Sequence, residues 1–121
     1  MEAIHDEQHN LTEELERLIS RYAALLEEIA RLRGLIKGLT KILTELREDY
    51  LKHLEDLLED WKEGDERALE AIRRLSEQFF QRQAVIRARL QEVISQYEAL
   101  ENERMQLEHR IAEILGISDD D

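Results

Sequence analysis

Two histidines near the N-terminus, His5 and His9, are four residues apart and enclose Asp6. On a helix this spacing places both imidazoles on one face, where they could bind a metal ion. The zinc-binding pattern His-Glu-x-x-His needs a glutamate where this chain has Asp6, and no third ligand is apparent. His53 and His109 stand alone and are expected to face solvent. The sequence therefore predicts no metal site.

Other catalytic chemistry finds little support in the residue types. The chain has no cysteine, which removes thiolate nucleophiles and sulfur-ligated metals. No Ser/His/Asp grouping and no glycine-rich phosphate loop is present. We expect no enzyme activity, no cofactor and no small-molecule substrate.

Positive charge is concentrated in two segments that contain no acidic residue, 29–44 and 78–91. A turn near residue 64 would bring the two segments to the same level. They hold seven of the 17 basic residues, and two glycines between the cations leave a shallow notch. The candidate partner-binding residues are Arg31, Arg33, Gly34, Lys37, Gly38, Lys41, Arg82, Arg87 and Arg89. They either dock an acidic segment or form solvated helix faces with ion pairs inside each helix.

Three arginines, Arg82, Arg89 and Arg104, occupy or adjoin positions where the repeat predicts aliphatic residues. Long side chains can lie along a core and keep their charge in water. We expect their guanidinium groups to reach toward Glu45 or Glu48. The alternative is that they fix the pairing of the helices through partly buried ion pairs.

The middle of the chain carries the signals of a turn. Gly64 can adopt the left-handed conformation that ends a helix, and Asp65 can cap the next helix. Trp61 either packs over the end of the hairpin or forms, with the surrounding acids, a contact point. As a contact point, an acidic tip could enter a channel, similar in shape alone to the transcript-cleavage factors of bacterial RNA polymerase. The candidate tip residues are Asp60, Trp61, Glu63, Gly64 and Asp65.

Trp61 and Gly64 at this turn, with Tyr97 and Glu101 downstream, form a layout that resembles the Trp-x-Gly secretion family. Two residues separate Trp61 from Gly64, where that family has one, and Tyr97 lies well inside the second helix. The resemblance covers four residues and implies a secreted or secretion-targeting helical hairpin.

The pattern of apolar residues in the rest of the chain predicts two long helices. Apolar residues alternate at spacings of four and three from Leu11 to Tyr50 and resume from Ala68 to Ile114, a heptad pattern typical of coiled coils. Tyr50 and Leu54 are four residues apart, where the alternation of four and three calls for a spacing of three. The predicted organisation is a polar segment 1–10, helix 11–62, turn 63–65, helix 66–115 and acidic tail 116–121, in one domain.

The apolar stripe is wider than one facing helix can cover, because apolar residues such as Ile19 and Leu35 flank the heptad positions. The predicted fold is an all-α antiparallel hairpin that completes a four-helix bundle, either as a homodimer or with another helical protein. The alternative is a three-helix bundle in which the first helix breaks near Gly34.

The overall charge limits the classes of partner that the chain is expected to bind. A net charge of −12 disfavours nucleic acid and anionic membranes, and no apolar run approaches a membrane span. An acidic N-terminus without a signal-peptide pattern favours the cytoplasm. The sequence predicts a non-catalytic interaction module, a scaffold, adaptor or chaperone-like protein. The alternatives are the secreted hairpin and a regulator that inserts its tip into a larger machine.

Overall fold

Two long helices packed together as a hairpin make up the computed structural model. The structure describes residues 2–119, with side chains for residues 7–119. Helix α1 comprises Glu2–Lys62 and helix α2 comprises Arg67–Leu115. The predicted all-helical hairpin is confirmed.

The turn between the helices is built as its residue types require. Gly64 has a φ of 97°, and its N–H donates to the Trp61 carbonyl at 3.0 Å, while the Asp65 N–H donates to the Asp60 carbonyl at 3.0 Å. These two bonds form a Schellman motif, which satisfies carbonyls at the end of α1. The Asp65 carboxylate then accepts from the Arg67 N–H at 3.0 Å, so Asp65 caps α2.

The same motif ends α2. Gly116 has a φ of 67°, its N–H donates to the Glu113 carbonyl at 3.2 Å, and the Ile117 N–H donates to the Ala112 carbonyl at 3.0 Å. Asp120 and Asp121 of the predicted acidic tail lie outside the described residues.

Helix α1 runs through Gly34 and Gly38 without interruption, so the structure does not have the three-helix arrangement. The apolar repeat continues in register past both glycines, and packing of that face maintains the helix despite their low propensity. The helix also begins at Glu2, earlier than the predicted start at residue 11. Residues 2–10 include no proline or glycine that would stop it.

The chain divides into two compact units. The terminal unit comprises Met1–Arg33 and Ser95–Asp121, and the turn unit comprises Gly34–Ile94. The buried apolar side chains of the terminal unit are Leu25, Ile29, Leu32 and Ala112. Those of the turn unit are Leu43, Ala68, Phe79 and Val93. In the turn unit Tyr50 also stacks on Phe79, with ring centroids 4.0 Å apart.

Many large apolar side chains remain exposed beside these cores. In the terminal unit they are Leu11, Ile19, Leu26, Met105, Leu115 and Ile117. In the turn unit they are Leu35, Ile42, Leu51, Leu58, Trp61, Leu69, Phe80 and Val85. Apolar residues that flank the heptad positions are therefore uncovered in the isolated hairpin. This agrees with an apolar stripe that is wider than one facing helix can cover.

Candidate interaction surfaces

Three of the candidate basic residues are paired with acids one turn away on their own helix. The Arg31 Nε donates to Glu28 at 3.1 Å, Arg89 donates to Glu92 at 3.1 Å, and Lys41 lies 4.0 Å from Glu45. The hydrogen bond from Arg31 lowers the pKa of the Glu28 carboxyl and raises that of the guanidinium. These contacts are the local ion pairs that helices commonly form, so much of this positive charge is neutralised nearby.

Lys37, Arg82 and Arg87 form no ion pair with any residue that the structure describes. All three belong to the turn unit. Gly34 and Gly38, in the same unit, have no atom within 4 Å of the position that a Cβ would occupy. The three unpaired candidate cations and the open helix surface thus both lie in this unit.

The slip in the heptad spacing coincides with a small cavity in the turn unit. The cavity has a volume of about 180 Å³, and its lining includes Tyr50, His53, Phe79 and Arg82. The His53 Nδ1 lies 2.7 Å from the Asp49 carbonyl. A regular heptad would place an inward residue at 53, where this chain has an exposed histidine whose side chain lines the cavity. The slip in the heptad spacing and Arg82 are separate features of the sequence. In the structure both lie at this cavity.

The predicted reach of the arginines toward Glu45 or Glu48 was wrong, because Arg82 forms no ion pair with any described residue and the other two pair with acids on their own helix. Arg89 pairs with Glu92, and Arg104 pairs with Glu101 and Glu108, all on α2. Acids three or four residues away on the same helix are reached with little loss of side-chain freedom, so they compete well with partners across the hairpin.

Arg104 is the centre of a half-buried polar cluster in the terminal unit. Its Nη1 donates to Glu108 at 2.7 Å, and its Nε and Nη2 donate to Glu101 at 3.0 and 2.8 Å. Glu108 also accepts from the Tyr22 hydroxyl at 2.7 Å. The hydrogen bonds from Tyr22 and then Arg104 hold the pKa of Glu108 below its ordinary value, and the two carboxylates raise that of Arg104. The cluster thus favours the ionised form of Glu108 and pairs both carboxylates with Arg104.

Arg33 extends this polar cluster from α1. Its Nε donates to the Tyr97 hydroxyl at 3.2 Å, and its guanidinium carbon lies 5.7 Å from the centre of the Tyr97 ring. Its Nη2 lies 3.8 Å from Glu101 Oε1, an atom that is buried without a hydrogen bond. Arg33 is therefore committed to contacts between the helices of the terminal unit. Tyr97 and Glu101, which carry half of the Trp-x-Gly layout, belong to the same cluster.

Two further ion pairs join the helices of the terminal unit. Arg21 donates to both oxygens of Glu103 at 2.7 and 2.8 Å, and Arg110 donates to Glu14 at 2.7 Å. The bond from Arg21 lowers the pKa of Glu103. These pairs were not predicted from the sequence, although both follow from the opposition of the helices around Gly64.

At the turn, the Trp61 side chain is 48% exposed, and Asp60, Glu63 and Asp65 are exposed around it. The main-chain groups of Asp60 and Asp65 are used in ending α1. Their carboxylates and the Trp61 side chain lie at the same end of the turn unit. This arrangement provides an acidic surface with one aromatic side chain.

The His5 side chain of the predicted histidine pair lies outside the described residues. His9 is 3.0 Å from Glu13. In the described part of the chain, no group of three or more His, Asp and Glu side chains is placed to hold a metal ion.

Within residues 2–119, neither helix has the length of apolar sequence that a membrane crossing needs. None of the protein-family models, curated proteins or solved structures compared with the chain matches it.

Proposed function

We propose that the protein is a non-catalytic helical interaction module, a scaffold, adaptor or chaperone-like protein that acts through coiled-coil association. One observation supports this most strongly: large apolar side chains flank the core and remain exposed in both units. Large apolar side chains exposed along a helix face are typical of a binding face.

The hairpin alone leaves this surface in water at an energetic cost. Burying the exposed part of a half-exposed leucine or phenylalanine is worth about 1 kcal/mol. Another helix can supply that burial by packing beside the heptad positions, as in four-helix bundles. We therefore expect the added helices to come from a second copy or from another helical protein.

The charged clusters support a structural role for the polar residues. Hydrogen bonds from Tyr22 and then Arg104 hold the pKa of Glu108 below its ordinary value, which makes this carboxylate a weak general base at neutral pH. The remaining pairs between the helices join charged side chains at distances typical of direct hydrogen bonds. Both features favour binding over catalysis.

The tip gives a second candidate function, a regulator whose acidic turn enters a basic pocket of a larger assembly. The exposed Trp61 beside Glu63 favours it. Trp61→Ala would then abolish binding to that assembly and leave self-association unchanged, which separates this function from the first.

The proposed function is tested by light scattering after size-exclusion chromatography, with circular dichroism, across a hundredfold range of protein concentration. We expect the helical content and the melting temperature to rise with concentration as oligomers form. A weakly helical monomer would indicate that another protein supplies the helices. A fully helical monomer whose melting temperature is independent of concentration would contradict the proposal.

A further inference from the structure

Four exposed apolar residues of the turn unit lie on one side of the hairpin. Leu51 and Leu58 are two turns apart on α1, and Leu69 and Phe80 are three turns apart on α2. On this side Arg47 donates to Gln83 at 3.0 Å, and the Tyr50 and Ser76 hydroxyls are 2.7 Å apart. Leu51 follows Tyr50, and the Phe80 ring packs edge-on to Tyr50 with centroids 6.1 Å apart. We call Leu51, Leu58, Leu69 and Phe80 the turn patch; their exposures are 56%, 42%, 52% and 58%.

One charge interrupts the turn patch on each helix. Glu55 lies between Leu51 and Leu58 on α1, four residues after the first and three before the second. Arg73 lies four residues after Leu69 on α2 and two turns before Phe80. Glu55 has no ion pair with any described residue, and Arg73 has only a 3.9 Å contact with Glu70.

Glu55 and Arg73 lie at the same level of the hairpin. The pairs Arg47–Gln83 and Tyr50–Ser76 have residue numbers that add to 130 and 126. The numbers of Glu55 and Arg73 add to 128. The turn patch therefore has a negative edge on α1 and a positive edge on α2 at one level, with apolar side chains above and below.

We propose that the turn patch binds the turn patch of a second copy of this chain, with both turns at the same end. A two-fold axis parallel to the helices places α1 of each copy on α2 of the other. Glu55 of each copy then faces Arg73 of the other, and the apolar side chains meet between these pairs. The inference rests on the proposed function and names its partner, its surface and its orientation.

Charge selects this orientation over the opposite one. A two-fold axis perpendicular to the helices would lay α1 on α1 and α2 on α2. Glu55 would then face Glu55, and Arg73 would face Arg73, and like charges in close contact disfavour a complex. The same apolar surface is buried in both orientations, so the two charged residues decide between them.

The test is a pair of single charge reversals, Glu55→Arg and Arg73→Glu, studied by sedimentation equilibrium at low salt. Each reversal turns two attractive contacts of the dimer into repulsive ones. We expect each to raise the dimer dissociation constant by on the order of tenfold. A one-to-one mixture of the two variants should recover the wild-type affinity, because both contacts of the mixed dimer join opposite charges.

Matched controls are Asp56→Arg and Arg74→Glu. Each makes the same change of charge as a patch reversal, at the next residue in the chain, which lies outside the turn patch. They should leave the dissociation constant within about twofold of wild type, and circular dichroism should show full helicity for all variants. A wild-type dimer that is indifferent to both patch reversals would overturn the inference and leave the proposed function standing. A weakly helical wild-type monomer would do the same, since another protein would then supply the helices. A stably folded wild-type monomer would overturn both.

Discussion

Tyr22 on α1 donates its hydroxyl hydrogen to Glu108 on α2 across 2.7 Å. This bond joins the helices of the terminal unit, and its acceptor is charged. We predict that Tyr22→Phe lowers the free energy of unfolding by about 1–2 kcal/mol, because a hydrogen bond to a charged group contributes about 1.5–3 kcal/mol and this one is only half-buried. Urea unfolding followed by circular dichroism measures the change. A double-mutant cycle with Glu108→Gln isolates the bond, and a coupling energy near zero would contradict the prediction.

Acid should weaken the same unit. The pKa of Glu108 lies below its ordinary value of 4.5 in the folded protein, chiefly because of Tyr22 and then Arg104. A depressed pKa means that the unfolded chain takes up a proton first as the pH falls. The contribution of Glu108 to stability is therefore fully present above pH 4.5 and is lost as the pH falls through the folded pKa.

This acid sensitivity is measured as the urea midpoint between pH 7 and pH 3. We expect a shallower loss of stability in Glu108→Gln than in wild type, because the variant lacks the titrating group. Glu103, whose pKa Arg21 lowers, should contribute in the same direction. Parallel curves for wild type and Glu108→Gln would show that this carboxyl does not contribute.

Adjacent leucines give a matched test of the core. Leu25 is 1% exposed and Leu26 is 42% exposed. Leu25→Ala should cost about 3 kcal/mol because it leaves a cavity among packed side chains. Leu26→Ala should cost below about 1 kcal/mol in the monomer, since much of the side chain is already in water. Equal costs at low protein concentration would contradict this assignment of the inward face.

Replacing Gly34 or Gly64 by alanine should change the stability of the protein in opposite directions. Gly34 is helical with open space around its Cβ position, so Gly34→Ala should stabilise the protein by about 1 kcal/mol. Gly64 has a φ of 97°, so Gly64→Ala should destabilise it by about 1 kcal/mol. Thermal unfolding measures both. A stabilising Gly64→Ala would mean that the turn does not require the left-handed conformation.

The glycine notch among the candidate partner-binding residues has a test of its own. If a partner helix approaches closely there, Gly34→Leu should block association while helicity is retained. Unchanged association would indicate that the glycines only reduce the stability of α1.

The backbone could be predicted from the sequence because each signal was local. Gly64 and Asp65 specify a turn by their own conformational preferences, and the repeat through Leu25, Ile29 and Leu32 specifies the inward face. The start of α1 was harder to place, because Asn10 can cap a helix and can also lie within one. Nothing in residues 2–10 forces a boundary.

The partners of long charged side chains were harder to predict. Arg104 had acids within reach on its own helix and across the hairpin, and spacing alone does not rank them. The position of Arg33 beside Tyr97 depends on both residues facing the same side of the terminal unit. The cavity near His53 depends on how packing adjusts to the heptad slip, which the order of residues alone does not determine.

The division of the chain into two units has a consequence for how it folds. The bond between Tyr50 and Ser76 closes a loop of 26 residues, whereas the pair Arg110–Glu14 closes one of 96 residues. Loop closure costs more entropy as the loop lengthens, so contacts near the turn form first and those near the chain ends last. Opening should run in reverse, and amide hydrogens of the terminal unit should exchange with solvent before those beside the turn.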